Sequence, residues 1–456
     1  MAISSLGLGS GVLTQDVLDQ LRQADEAARV QPIDLNLAAA NDEKDAFSVL
    51  DAKMTNLMDN IYELKSPSLY DERIVNVEGT SIEMSASANS DVQEFTLDVT
   101  QLATKQIEES GSFSSSTDAI ATASGSLNLN IDGQDFTIDY TDTTTLEDLK
   151  NSINDIVGDK VNATIVQVND GDYRLFLNSV DTGSNQDITI TDNDGNLSGT
   201  QLTDDLTAVQ TGVDAEFTYN GQAITRSSNN VDDLITGYDI TLKSLGTSTV
   251  SVEQNRDAIM EKIDNFISKY NDAMRELNSL TKNSTNSDER GIFASNSTIK
   301  SLQSTLRNSM DTIGGGVGNI YEYGFDIAKD GTLSIDKTVF NEKMDENPAN
   351  VEAFFSGGDF ENADGSVTTI DGAFTELYTI MESYTGFNQT LDQFKTDLTD
   401  RISTLEENKQ TAIERLDDKY DSLAKQWAAY DSMIAQMNNS ANAFLQMIST
   451  DNKDDN

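Results

Sequence analysis

Cysteine and histidine are both absent from the 456 residues, and each absence removes whole classes of chemistry. Without cysteine there are no disulfides and no thiolate metal ligands. Without histidine there is no Ser-His-Asp or Cys-His catalysis, no imidazole-held zinc and no ordinary acid–base group near neutral pH. Basic residues are scarce as well: 30 Lys and Arg stand against 78 Asp and Glu, a net charge of −48. Nucleic acid and anionic membrane surfaces are repelled by such a chain. The acidity suits a protein that stays soluble outside the cell, and equally a plain solvated surface. Only 3 prolines occur against 28 glycines, so tight turns fall to Gly, Asn, Asp and Ser. No apolar stretch approaches membrane-spanning length. The start, MAISSLGLGSGVLTQDVLDQL, has neither a basic region nor a long apolar run, so export would use a route without a cleaved signal peptide.

Two short motifs resemble sites and fail on spacing. Gly7-Leu8-Gly9-Ser10-Gly11 lacks the preceding strand of a dinucleotide loop and is better taken as a flexible leader. Asp192-Asn193-Asp194-Gly195 looks like half a calcium loop but has no bidentate Glu at the required distance, so a turn is expected. Carboxylates are plentiful, yet no pair is marked as a catalytic acid and base. The expectation is a non-enzyme without cofactor or metal.

At this length two to four domains are expected, and the ends differ in kind from the middle. Val17, Leu18, Leu21, Ala24 and Ala28 follow helical spacing behind Thr14, a suitable N-cap, until Pro32 restarts the chain. Phe47, Leu50, Met54, Leu57, Ile61 and Leu64 then advance by threes and fours, a heptad seam that Pro67 stops. At the other end, Leu416, Tyr420, Leu423, Trp427, Tyr430, Ile434, Met437, Phe444 and Ile448 keep the same alternation. A helix over 388–449 would be roughly 90 Å long, a length used by coiled coils and axial bundles. Trp427 and Tyr430 fit either a heptad core or an interface hot spot.

Between the helical ends the period changes to two. Strands are expected at 95–99, 127–131, 136–138, 161–168, 173–177, 188–191, 215–219 and 240–242, with Asp132-Gly133 as a hairpin turn. One helix, 145–156, interrupts them. The stretches 110–126 and 192–212 are taken as crossings between two small β-rich domains, one inserted in the other. Helices return at 257–280 and 298–310, followed by a hairpin turning at Asp330-Gly331. A chain that leaves a helical layer, builds a β-rich globule and returns must bring its two ends side by side.

Particular residues add a family resemblance. Ile3-Ser4-Ser5-Leu6-Gly7-Leu8-Gly9-Ser10-Gly11, Asp98-Val99-Thr100-Gln101-Leu102-Ala103, Tyr323-Gly324-Phe325-Asp326-Ile327 and Asn347-Pro348-Ala349-Asn350-Val351 resemble segments of flagellar filament cap proteins. Tyr420, Gln426, Trp427, Tyr430, Asp431, Ile434, Met437 and Asn438 are similar to the family's terminal helix, with Trp427 where Phe is common and Tyr430 where Met is common. The match covers both ends and the region 257–450. The β-rich middle matches in kind only.

The resemblance implies an α+β multidomain chain: helical coiled-coil termini and a helical core domain, with inserted β-rich outer domains. The expected parts are leg helices at 1–40 and 416–456, a helical core at 41–70 and 256–415, an outer β domain at 71–109 and 209–255, and an inserted domain at 110–208. It further implies a homo-oligomeric ring at the distal filament tip that helps exported flagellin fold and insert. The assembly and coiled-coil surface would comprise Leu18, Leu21, Phe47, Leu50, Met54, Leu57, Ile61 and the C-terminal seam residues named above. Partners would be further copies of the chain, flagellin, an export chaperone on the C-terminal helix and, on the outer domains, host glycan or mucin. The rival readings are another flagellar axial protein, either flagellin or a hook–filament junction protein, and a surface adhesin.

Overall fold

The structure, a computed structural model, describes residues 11–451 except Leu13 and Gly315, with side chains through Met447. The leader at Ile3 to Ser10 and the Ile448 side chain lie outside the described residues. The chain divides into one unit of residues 1–67 and 260–456 and a second of 68–259.

The first unit is helical. It opens with α1 (Gln15–Arg29) and α2 (Gln31–Leu64); a single turn, α3 (Pro67–Tyr70), follows at the boundary. Thr14 caps α1, its hydroxyl oxygen accepting the Val17 N–H at 3.4 Å. Pro32, in the first turn of α2, has no N–H to continue the ladder from α1. Phe47, Leu50, Met54, Leu57, Ile61 and Leu64 are at most 2% exposed, so this seam is core. Facing residues come from α9 (Ala373–Thr385) and α10 (Thr390–Asp451), while α5 (Arg256–Thr281) is tied to α2 by ion pairs. Phe47 lies 5.0 Å from Phe394 between ring centres, and Phe266 meets Phe374 edge to face at 5.0 Å. Lys53–Glu276 and Lys262–Glu63, both at 2.9 Å, flank the α2–α5 contact.

Smaller elements close this core: α6 (Ser297–Thr312), α7 (Lys337–Glu346) and α8 (Pro348–Ser356), the last capped by Asn347 with Pro348 in its first turn. The hairpin expected at Asp330-Gly331 is present as β16 (Phe325–Ile327) and β17 (Leu333–Ile335). Gly324 precedes it with φ of +86°, where an added Cβ would stand 2.5 Å from the Asp336 carbonyl oxygen, so only glycine fits. A second hairpin, β18 (Gly358–Glu361) with β19 (Val367–Ile370), was not expected from sequence.

The second unit holds two apolar cores. One lies between a five-stranded sheet, order β1-β15-β3-β11-β12, and a three-stranded sheet, β13-β14-β2. Their strands are β1 (Arg73–Glu78), β2 (Ile82–Ala86), β3 (Gln93–Gln101), β11 (Ala215–Tyr219), β12 (Gln222–Arg226), β13 (Asn230–Val231), β14 (Tyr238–Leu242) and β15 (Gly246–Gln254). Every pairing is antiparallel; β1 and β15 run from Arg73 opposite Gln254 to Glu78 opposite Thr249. The Arg73 guanidinium fastens this ribbon to the carbonyls of Ser90 at 2.8 Å and Asp71 at 2.7 Å.

The other core packs one helix, α4 (Leu146–Val157), with two sheets of order β10-β4-β8-β7 and β6-β5-β9. These use β4 (Lys105–Glu109), β5 (Gly125–Ile131), β6 (Gln134–Tyr140), β7 (Val161–Asn169), β8 (Asp172–Thr182), β9 (Thr189–Asp192) and β10 (Thr207–Gln210). Thr145 and Asp148 form a reciprocal cap at the start of α4. Asp132 and Gly133 take positive φ, 52° and 67°, at the β5–β6 turn.

The crossing between these cores differs from expectation. Residues 110–126 do not cross: Ile120 and Ala121 are buried in the second core, and Phe113 bridges Tyr173. The passage is narrower, at Thr104 and Val213, which pair with each other; the Thr104 N–H donates to the Val213 carbonyl at 3.0 Å. An added Cβ on the neighbouring Gly212 would sit 2.4 Å from the Gly183 carbonyl oxygen, so the strands there approach too closely for a side chain.

Candidate functional site

The two ends of the chain meet along α10, a helix of 62 residues, about 90 Å at the standard rise. Its contact with α1 and α2 is antiparallel and edged by a series of ion pairs. Lys395 pairs with Asp51 at 3.9 Å, Arg401 with Glu43 at 2.7 Å, Lys409 with Asp34 at 2.8 Å and Lys419 with Asp25 at 2.5 Å. Each step toward the N-terminus on one side is matched by a step toward the C-terminus on the other. In these four pairs α10 supplies the cation; Arg22–Asp417 reverses the sense. All of these side chains are partly exposed, so individual pairs contribute little stability. As a set they favour one register, because a slipped α10 would take these cations away from their carboxylates.

Between the flanks lies a small apolar cluster: Leu18, Val30, Leu416, Tyr420 and Ala424 are buried, with Leu423 and Trp427 half-buried against them. The Tyr420 hydroxyl donates to Asp25 at 2.9 Å. Hydrogen bonds from Lys419 and Tyr420 hold the Asp25 carboxyl below its ordinary pKa. Burial, then the Asp25 acceptor, pushes the Tyr420 phenol up. Arg22 is held charged by Glu26 and Asp417.

The residues expected to form the assembly surface separate into three groups. Phe47, Leu50, Met54, Leu57, Ile61, Leu18, Leu416 and Tyr420 are buried inside the chain. Leu423, Trp427 and Ile434 are intermediate. Leu21 is exposed at the edge of α1, and on α10 exposure rises to 57% at Tyr430, 72% at Met437 and 64% at Phe444. Met433, Leu445 and Met447, which the heptad reading passed over, are also more than half exposed. The result is an apolar strip along the last turns of α10, continuous with the covered seam.

Sequence reasoning also missed the charged flanks: Arg22, Asp25, Asp34, Glu43, Arg401, Lys409, Asp417 and Lys419. Opposite charges beside a heptad seam are a visible signal, but the sequence alone does not say which distant segments meet.

The Asp192–Gly195 segment is a turn, as expected. Asp192 accepts the Tyr140 hydroxyl at 2.5 Å and the Leu197 N–H at 3.0 Å, while Asp194 accepts the Ser126 N–H at 2.7 Å. These carboxylates are committed to the fold. Among the described residues no group of three or more acidic side chains is placed to hold a metal ion, and no helix is long and apolar enough to cross a membrane.

Comparison with known proteins matches these features to one family. The model of the flagellar hook-associated protein 2 C-terminus matches residues 212–439, and that of its N-terminus matches residues 10–106. Flagellar hook-associated protein 2 of Aeromonas caviae is 26% identical over 98% of each chain. The Campylobacter jejuni protein of that name is 26% identical over 78% of this chain, which spans 64% of its length. The fold resembles the D1-D2-D3 domains of the flagellar cap protein FliD from Escherichia coli, with a TM-score of 0.58 at 20% identity over 78% of this chain and 99% of that one. With half its length inside the C-terminal model and most of its first hundred residues inside the other, this chain belongs to the flagellar hook-associated protein 2 family.

Proposed function

We propose that the chain caps the distal end of the bacterial flagellar filament as a homo-oligomeric ring. Family membership supplies the capping role. The observation that carries the working surface is the strip at Tyr430, Met433, Met437 and Phe444, apolar and exposed at the end of a seam otherwise covered. In a ring, further copies of the chain and flagellin would cover it. Flagellin exported unfolded would fold beneath the ring and join the filament, with the cap acting as a scaffold rather than an enzyme. An export chaperone on the C-terminal helix would occupy the same strip before assembly, and export would need no cleaved signal. A glycan or mucin partner would belong to the β-rich unit, and capping does not require it. Flagellin and junction proteins share helical ends, but the matched family models are those of hook-associated protein 2.

Deleting the gene tests this reading. The expected result is flagellin shed into the medium without filaments, restored by adding the purified protein. Normal filaments after deletion overturn it.

A further inference from the structure

The outer strand β7 is closed at one residue and open at the next two. Asn154 of α4 lays its primary amide against Ala163: its Nδ2 donates to the Ala163 carbonyl at 3.0 Å and its Oδ1 accepts the Ala163 N–H at 2.8 Å. This is the bonding a residue of a neighbouring strand would make. Both backbone groups of Ala163 therefore point away from β8. Backbone direction alternates along a strand, so those of Ile165 and Gln167 point the same way. The partner strand agrees. Ile165 and Gln167 stand opposite Leu175 and Tyr173, whose own backbone groups are taken on the far side by Ser110 and Phe113.

A groove runs along this open stretch. Its lining includes Ser116, Glu147, Lys150, Gln167 and Tyr173 together with Asn154 itself. One carboxylate and one ammonium offset each other there, in a chain of net charge −48, so the groove does not select strongly for peptide charge.

We propose that β7 receives an extended stretch of unfolded polypeptide by strand addition. The incoming chain would pair with Ile165 and Gln167, while Asn154 stands in for a peptide at Ala163 and limits the length gripped. Backbone pairing is indifferent to side-chain identity, and a slot of two outward residues makes a weak, readily released contact. Only the identity of the natural partner, flagellin before it folds, rests on the capping reading; the strand pairing does not.

The test uses the full chain and a blocked eight-residue peptide of alternating Val and Thr, with the same peptide N-methylated at every residue as control. Amide hydrogen exchange at Ile165 and Gln167 is expected to slow with the first peptide and not the second. Gln167→Pro removes an outward N–H without touching the β8 ladder, and should abolish protection at Ile165. Asn154→Ala should bind about tenfold tighter, as two newly available backbone bonds imply, and extend protection to Ala163. Unchanged exchange at Ile165 and Gln167, or weaker binding by folded Asn154→Ala protein, overturns the proposal. Protection that appears on raising protein concentration alone assigns the edge to a second copy, and also overturns it. A failed deletion phenotype would leave all these readings intact, so the two ideas fail separately.

Discussion

Truncating Leu416 should detach one helix without melting the protein. Leu416 is 2% exposed and sits in a small cluster, five buried residues among those described, that joins α1 to α10. Leu50, by contrast, is fully buried in the helical core that α2 shares with α9 and α10. Burying-to-Ala truncations of leucine cost about 2–5 kcal/mol. The low end, about 2 kcal/mol, fits Leu416, because a small cluster flanked by solvent relaxes readily around a lost side chain. If α1 opens as a local unit, that loss raises the exchange rate of its amides by about 30-fold. The assay is hydrogen exchange with mass spectrometry on dilute protein, alongside calorimetry. Leu416→Ala should speed exchange over residues 15–29 and leave the main transition in place. Leu50→Ala should lower that transition and leave α1 no more exposed than its surroundings. If Leu416→Ala instead lowers the main transition as far as Leu50→Ala, with α1 exchange unchanged, then α1 belongs to the cooperative core and the reasoning fails.

Two further substitutions probe buried polar groups. The Tyr270 hydroxyl is buried without a hydrogen-bond partner among the described residues, and burial raises its pKa. Tyr270→Phe should therefore hold or gain stability, by about 1 kcal/mol, and a clear loss in calorimetry would show that the hydroxyl is satisfied. Glu108 is 5% exposed, and burial raises its carboxyl pKa despite the Gln106 amide, with Asp187 adding to the rise. A raised carboxyl pKa favours the folded state below the ordinary value and loses that advantage as pH climbs through the folded one, so ionised Glu108 opposes folding at neutral pH. Glu108→Gln should raise the unfolding midpoint by a few degrees at neutral pH, with the gap closing below about pH 4.5. A gap that does not change with pH counts against this.

Where local chemistry determines structure, the sequence was legible. The 3.6-residue spacing of Leu146, Leu149 and Ile153 located α4, and the two Asp-Gly pairs located the β5–β6 and β16–β17 turns. Strand β15 and the β18–β19 hairpin were missed because their inward faces are partly polar or nearly bare. On β15 the buried positions begin with Ser248, whose hydroxyl meets that of Ser81 at 2.6 Å inside the sheet pair, so the strand does not alternate apolar with polar at its start. The β18–β19 hairpin buries almost nothing but Ile370, which left no periodic signal. The crossing was misplaced for a related reason. A Ser- and Thr-rich stretch reads as a linker by composition, although Ile120 and Ala121 within it are core. For the assembly surface the limit is different. Heptad spacing is the same whether the facing helix belongs to the same chain or another, so Leu416 and Met437 look alike in sequence while one is buried and the other exposed.

The paired entry points of the β-rich unit have an evolutionary consequence. Arg73 stands beside Gln254, and Thr104 beside Val213, so each β core leaves and rejoins its host at a single doorway. A loop hung from adjacent ends closes at nearly the same entropic cost over a wide range of lengths. Whatever lies beyond a doorway is then free to be lengthened, exchanged or deleted by recombination while the host strands stay in place. Variation among relatives should therefore collect beyond these doorways, as interchangeable cargo on a conserved frame.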